Sequence, residues 1–185
     1  MKVIETPLAG MVVIEPRVFS DARGFFMETF SADRYAAAGI VGPFVQDNVS
    51  FSRGGVLRGL HVQHPHGQAK LVSVLDGEIF DVGVDVRVGS PSFGRWYGHT
   101  LSSGNKRQLF LPAGFAHGFV VTSDSALVMY KCSDDYHPEL ERTVLWNDDE
   151  IGITWPVDGV QLSEKDNRGC ALREIAPDLL PRYAP

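Results

Sequence analysis

Cysteine is scarce. Only Cys132 and Cys170 are present, and neither belongs to a Cys-x-x-Cys pair. That excludes a disulfide-dense scaffold and a cysteine-rich zinc module, and it reads as two free thiols in a reducing compartment. Long apolar runs are missing too: nothing approaches the roughly 18 residues a membrane helix needs. The opening MKVIETPLAG shows no charged region leading into an apolar one, so no secretory signal is expected and the cytoplasm is the expected location. Basic residues are outnumbered, 17 Lys and Arg against 23 Asp and Glu, and they are spread along the chain. A net charge of −6 argues against nucleic acid or an anionic membrane as the main partner. It leaves room for a small anionic ligand gripped by a few cations in a pocket. There is no internal repeat, low-complexity tract or splitting linker, so residues 1–185 are expected to form one domain, with an extended tail from about 171.

What is abundant is strand-like sequence. β-Branched and aromatic residues fill runs such as MVVIEPRVF (11–19), GFFMETF (24–30), GVLRGLHVQ (55–63) and AKLVSVLDG (69–77). EIFDVGVDVRVG (78–89), GRWYGHTLS (95–102), KRQLFLPAG (106–114), AHGFVVTS (116–123) and ALVMYKCS (126–133) continue the pattern. Turn residues separate the runs at intervals of about 8–12 residues, the texture of an all-β sandwich or barrel. The strand number predicts a jelly roll, a cupin-like double-stranded β-helix with a few short helices, whose mouth holds a ligand. SADRYAAAG is the clearest helix, with Ser31 as cap and Gly39 as terminator, and SEKDNRG predicts a second short turn. In the run around Val82, alternation predicts a wet face of Asp81, Gly83, Asp85 and Arg87 opposite packed valines. Arg58 and His61 are three apart and would face opposite ways, unless Gly59 lets the strand bulge.

GVLRGLHVQHPHGQAKLVSVLDG places His61, His64 and His66 close together, then Lys70 inside an apolar run. Jelly-roll metal enzymes of the cupin class use a His-x-His pair followed by Glu, and a second Pro-x-Gly-x-x-His segment. His64, His66, Gly77 and Pro112, Gly114, His117 shadow that arrangement, but Lys70 stands where the Glu belongs. An ammonium repels a divalent cation and offers it no lone pair. No catalytic metal and no cofactor are therefore expected. His64 and His66 read as a solvent-exposed turn, and His99 and His137 as surface or rim residues. His61 and His117 sit in apolar settings, where a hydrogen-bonded core histidine is as reasonable as a functional one.

Longer blocks carry a resemblance. DARGFFMETF (21–30), VQDNVSFSRGGVLRGLHVQ (45–63), QAKLVSVLDGEIFDVGVDVRVGSPSFGRW (68–96), LPAGFAHGF (111–119), YKCSDDYHPELER (130–142) and WPVDGVQLSEKD (155–166) resemble the dTDP-4-dehydrorhamnose 3,5-epimerase family. The likeness spans about residues 3–170. It implies a metal-free jelly roll, a homodimer, and a dTDP-4-keto-6-deoxy sugar nucleotide as substrate. It implies His61 as proton acceptor, Tyr130 as proton donor, Asp166 as the acid that orients His61, and Lys70 near the substrate carbonyl oxygen. Arg23, Phe26, Glu28, Gln46, Asp47, Asn48, Arg58, His117, Glu141 and Lys165 match positions that contact the nucleotide sugar. Val62 departs from the tyrosine frequent after the catalytic histidine. Alternation turns it to the other face, so a packing change is expected there and no loss of chemistry.

These residue types suit epimerisation next to a ketone. A base near neutral pKa must take a weakly acidic C–H proton, and imidazole titrates near 6.5. Charge then builds on the ketone oxygen, where an ammonium such as that of Lys70 stabilises it. An acid across the ring returns a proton, which a phenol can do. Three rivals stand beside this reading: a single-centre epimerase of a related 4-keto sugar nucleotide, a metal-dependent cupin oxygenase, and a non-catalytic sugar-nucleotide binder.

Overall fold

A computed structural model describes residues 1–184. The strands are, in chain order, β1 (Lys2–Glu5), β2 (Val12–Glu15), β3 (Val18–Asp21), β4 (Gly24–Met27), β5 (Gln46–Arg53), β6 (Leu57–Gln63) and β7 (Lys70–Asp76). They continue with β8 (Glu78–Asp85), β9 (Trp96–Ser102), β10 (Gln108–Leu111), β11 (Phe115–Val121), β12 (Ser125–Cys132) and β13 (Glu141–Thr143). Two short helices, α1 (Ala32–Ala36) and α2 (Glu164–Asn167), complete the regular elements used below. No helix among the described residues is long and apolar enough to cross a membrane.

The strands form a six-stranded sheet ordered β1-β2-β10-β7-β12-β5 and a five-stranded sheet ordered β13-β6-β11-β8-β9. All ladders are antiparallel, and the central ones join strands distant in the chain, β10 with β7, β12 with β7 and β11 with β8, as a jelly roll requires. Leu109 and Leu111 of β10, Val72 and Val74 of β7, and Val128 of β12 meet Phe115, Phe119 and Ile79 of the facing sheet in one buried cluster. Each such side chain removed from water is worth about 1.5–3 kcal/mol. A third unit, the β3–β4 hairpin, pairs only with itself and shows Phe19, Phe25 and Phe26 to solvent.

Four expectations change. The run 11–19 is two strands, because Pro16 has no N–H to continue a ladder. β1, β5 and β13 form from stretches with little apolar alternation; β5 carries Gln46, Asn48, Ser50 and Ser52 on its inner side and is held by eight register partners on β12. The predicted wet face of β8 is not wet: Asp81 and Asp85 are fully buried, paired with His117 and with Arg87, Ser90 and Ser92. A bond from His117 to one Asp81 oxygen, and bonds from Arg87, Ser90 and Ser92 to Asp85, let these carboxylates enter an interior that alternation assigns to solvent. The tail from about 171 is no loose surface strand either. It makes two 3-10 turns, Leu172–Glu174 and Pro177–Leu179, and buries Leu172, Ile175 and Leu180 over Val82, Val84 and Val86. Val62 packs into that same outer cluster.

Helix α1 covers the opposite sheet with Tyr35, whose hydroxyl donates to Gln108 Oε1 at 2.7 Å. Ser31 stands at its N-cap without a side-chain bond, and Gly39 follows it at φ +82°.

Candidate active site

A cavity of about 560 Å³ opens between the two sheets. His61 reaches it through a local irregularity. Across the β6–β11 ladder His117 faces His61 and Phe119 faces Arg58, so Gly59 and Leu60 together oppose the single Gly118. The extra residue is a bulge, and it turns Arg58 and His61 into one cavity despite their odd spacing. Gly59 has φ +126°, and a Cβ there would lie 2.5 Å from Gly118 Cα. Only glycine fits.

The partner of His61 comes from far along the chain. His61 Nε2 and Asp166 Oδ1 are 2.5 Å apart, across 105 residues of sequence. Two features bring Asp166 back. The segment before α2 is stitched beside β6 by Leu57 N donating to Gln161 O at 3.0 Å and Gln161 N donating to Gly55 O at 2.8 Å. Ser163 then caps α2, accepting from Asp166 N at 3.1 Å, which fixes the carboxylate's direction. Burial pushes the Asp166 carboxyl up, but the His61 hydrogen bond and charge, with Ser163 and Lys165, outweigh it and hold it below the usual carboxylate range. On the other side of the ring, Glu141 Oε1 lies 3.8 Å from His61 Nδ1. Glu141 is placed by β13, where Thr143 faces His61 and Glu141 faces Gln63. It also pairs with Lys165 and accepts from the Tyr136 hydroxyl at 3.2 Å.

Lys70 begins β7 and faces Cys132 and Leu111 across its two ladders. Its side chain lines the same cavity as His61. Burial pushes the Lys70 amine below the ordinary lysine value, while Cys132, Glu141 and Asp81 pull the other way. Tyr130, on β12, also lines the cavity; burial, and then Cys132, raise its phenol, which keeps the proton on it at neutral pH. Cys132 itself is pushed up by burial, so it stays a thiol.

Polar groups complete the wall. Arg58 donates from Nε to Ser52 Oγ at 2.9 Å, and Gln46 Nε2 donates to Asn48 Oδ1 at 3.0 Å. His117 Nε2 and Asp81 Oδ1 are 2.7 Å apart, and Asp81 Oδ2 has no hydrogen-bond partner. His61, Lys70, Tyr130, Asp166, Gln46, Asn48, Arg58, His117, Glu141 and Lys165 thus share one cavity. Arg23, Phe26, Glu28 and Asp47 do not line it. Arg23 sits at the β3–β4 tip with its side chain 90% exposed and bonded to Asp21; Glu28 pairs with Arg34; Asp47 pairs with Lys131; Phe26 is 71% exposed. Sequence reasoning missed Ser50, Gln68, Cys132, Tyr136, Gln161 and Ser163 in the lining. The alternation 46, 48, 50, 52 would have found Ser50; nothing in SDDYHPELER marks Tyr136.

The cupin metal arrangement does not assemble. His66 bonds to Asp134 at an exposed loop, while His117 lies in the cavity against Asp81.

The chain is similar to proteins of known activity. A family model described as dTDP-4-dehydrorhamnose 3,5-epimerase matches residues 5–174. The dTDP-4-dehydrorhamnose 3,5-epimerase of Methanothermobacter thermautotrophicus is 51% identical over 174 residues, 92% of this chain and 94% of its own. A crystal structure of a dTDP-6-deoxy-D-glucose-3,5-epimerase from Legionella pneumophila, in complex with dTDP-4-keto-L-rhamnose, superposes with a TM-score of 0.97. It is 52% identical and covers 100% of this chain and 99% of its own. A 3'-monoepimerase from Streptomyces bikiniensis in complex with dTDP-quinovose has a TM-score of 0.89 at 37% identity, covering 97% of this chain and 93% of its own.

Proposed function

The chain belongs to the dTDP-4-dehydrorhamnose 3,5-epimerase family, and from that premise we propose which of its residues carry the inversion of C3 and C5 of dTDP-4-dehydro-6-deoxy-D-glucose. Both carbons flank the C4 ketone, so one mechanism serves twice. His61 takes the proton from carbon, and the C–H electron pair moves into the ring to make an enolate with its charge on the C4 oxygen. Lys70 meets that oxygen. Donors already in place when charge develops are worth about 10²- to 10³-fold in rate. Tyr130 returns a proton to the same carbon from the opposite face. Solvent exchange then restores the phenol and the neutral imidazole.

Asp166 orients His61 and steadies the imidazolium while it exists, as a carboxylate behind a catalytic imidazole does. Glu141 and Lys165, paired with each other, form the rim beside the base. Arg58 and Lys165 supply positive charge for the diphosphate. The observation that carries this reading is the convergence of His61, Lys70 and Tyr130 on one cavity that Asp166 closes from behind.

The reading extends to assembly and location. Arg23, Phe26 and Glu28 match substrate-contacting positions but stand on or beside the β3–β4 hairpin, which pairs only with itself and exposes three phenylalanines. Exposed apolar groups gathered on one unit mark an interaction surface. In a homodimer the hairpin would serve the partner's cavity. The chain would work as a cytoplasmic dimer, each copy a single epimerase domain.

Turnover in D₂O tests the reaction. Deuterium is expected at two ring carbons of the product by NMR. Label at a single carbon would return the chain to the monoepimerase alternative.

A further inference from the structure

We propose a zinc-binding site outside the cavity, built from His66, Asp134 and His137. Among the described residues these form the one group of three His, Cys, Asp or Glu side chains whose ligand atoms all lie within 4.8 Å of one another. Two imidazoles and a carboxylate are a borderline donor set, suited to zinc and poorly suited to magnesium or calcium. His66 Nδ1 is 3.2 Å from Asp134 Oδ2, and the two imidazole centroids are 4.9 Å apart. Tetrahedral zinc asks for ligand atoms roughly 3.4 Å apart, with water in the fourth place. The ligand atoms need to close by up to about 1.4 Å, which small rotamer changes of exposed His66 and half-buried Asp134 and His137 supply.

The backbone around the cluster is already held. Buried Gln63 ties both halves together: its Nε2 donates to His66 O at 2.5 Å and to Asp135 O at 3.0 Å, and its Oε1 accepts from His137 N at 2.8 Å. Gln68 Nε2 donates to Asp134 O at 2.9 Å. His66 keeps φ +61°, a conformation uncommon outside glycine, under that bond. Glu139 Oε1 lies 3.7 Å from His137 Nδ1 and gives that ring a carboxylate neighbour, the usual companion of a ligating histidine. Most of the ordering cost of a metal site is therefore met before the ion arrives.

An ion here would reach the cavity through Tyr136. That residue lies between Asp134 and His137, lines the cavity, donates its hydroxyl to Glu141, and donates its backbone N–H to Gln46 Oε1 at 3.0 Å. Zinc on His66, Asp134 and His137 would fasten the 134–137 loop to the 64–67 loop and so fix this wall. The site does not depend on the identity of the substrate.

The test uses the full chain and Zn²⁺ alone. Equilibrium dialysis against micromolar Zn²⁺, with metal counted by mass spectrometry, is expected to leave about one zinc per chain. Thermal unfolding should rise by a few degrees when zinc exceeds its Kd severalfold. His137→Ala and Asp134→Asn should each weaken binding at least about tenfold and abolish the shift, and millimolar Mg²⁺ should produce none. Undiminished binding in both variants, no zinc retained by the parent chain, or zinc lost instead with His61→Ala would each overturn the proposal.

Discussion

Two histidine–carboxylate pairs sit side by side on neighbouring strands. His61 of β6 and His117 of β11 face each other across the ladder, yet their partners come from opposite directions. His117 holds Asp81 of the adjacent strand β8; both are buried, and the His117 side chain is 7% exposed. His61 holds Asp166, delivered by a separate one-turn helix, and keeps 21% of its side chain open to the cavity. The chemistry of each pair is nearly the same. Access is what differs. A base must meet substrate and exchange its proton, which the His61 pair can do, whereas the His117 pair is built into the sheet and suits a fixed hydrogen-bonding role.

The comparison breaks most visibly under truncation of each ring. His61→Ala is expected to lower kcat by at least about 10³-fold while dTDP binding survives, the loss typical of a missing general base. His117→Ala should act chiefly on KM. Steady-state kinetics with calorimetric dTDP binding reads the split; equal kcat losses would erase the distinction.

The carboxylates sharpen it next. Asp166→Asn should cost about 10²-fold in kcat with little change in folding, because it misorients one imidazole at a surface helix. Asp81→Ala should cost about 1–3 kcal/mol in stability, since it strands a buried polar ring. Thermal unfolding beside kinetics separates the two, and an Asp166→Asn protein as destabilised as Asp81→Ala would contradict the contrast.

The smallest effect concerns acid. The folded Asp166 carboxyl is held below its ordinary value, so near pH 3–4 the unfolded chain binds more protons there than the folded one. Its contribution is complete above the unfolded value near 3.9 and is lost as pH falls through the lower folded one. The stability gap between the parent protein and Asp166→Asn should be flat from about pH 5 to 7 and shrink below about pH 4. This should be the smallest of the three effects, because it rests on the shift of a single carboxyl group. A gap that widens with acid in unfolding curves would reverse the sign.

Much of this contrast could be read before any coordinates. Gly59 between Arg58 and His61 signalled the bulge, because no other residue tolerates that approach to Gly118. The apolar runs marked the central strands. Alternation failed where the inner face is polar: Gln46, Asn48 and Ser50 line a cavity, not a core, so β5 is not among the strands the apolar pattern predicts. It failed again at Asp81 and Asp85, whose hydrogen bonds come from distant residues that local pattern does not register. Asp166 was legible only through family resemblance; the Gln161 and Ser163 bonds that return it to β6 leave no periodic trace. Arg23, Phe26 and Glu28 matched by sequence, yet one chain's folding does not bring them to its own cavity.

The stitching of Gln161 beside Gly55 decides how firmly the Asp166 carboxylate stands behind His61. The described strands end at Thr143, so Asp166 belongs to none of the ladders that hold the imidazole's own strand. Were the few backbone bonds at this seam to open, both sheets could keep their pairing while the ring lost its carboxylate. The seam is thus a place where the cavity can come apart without the fold giving way.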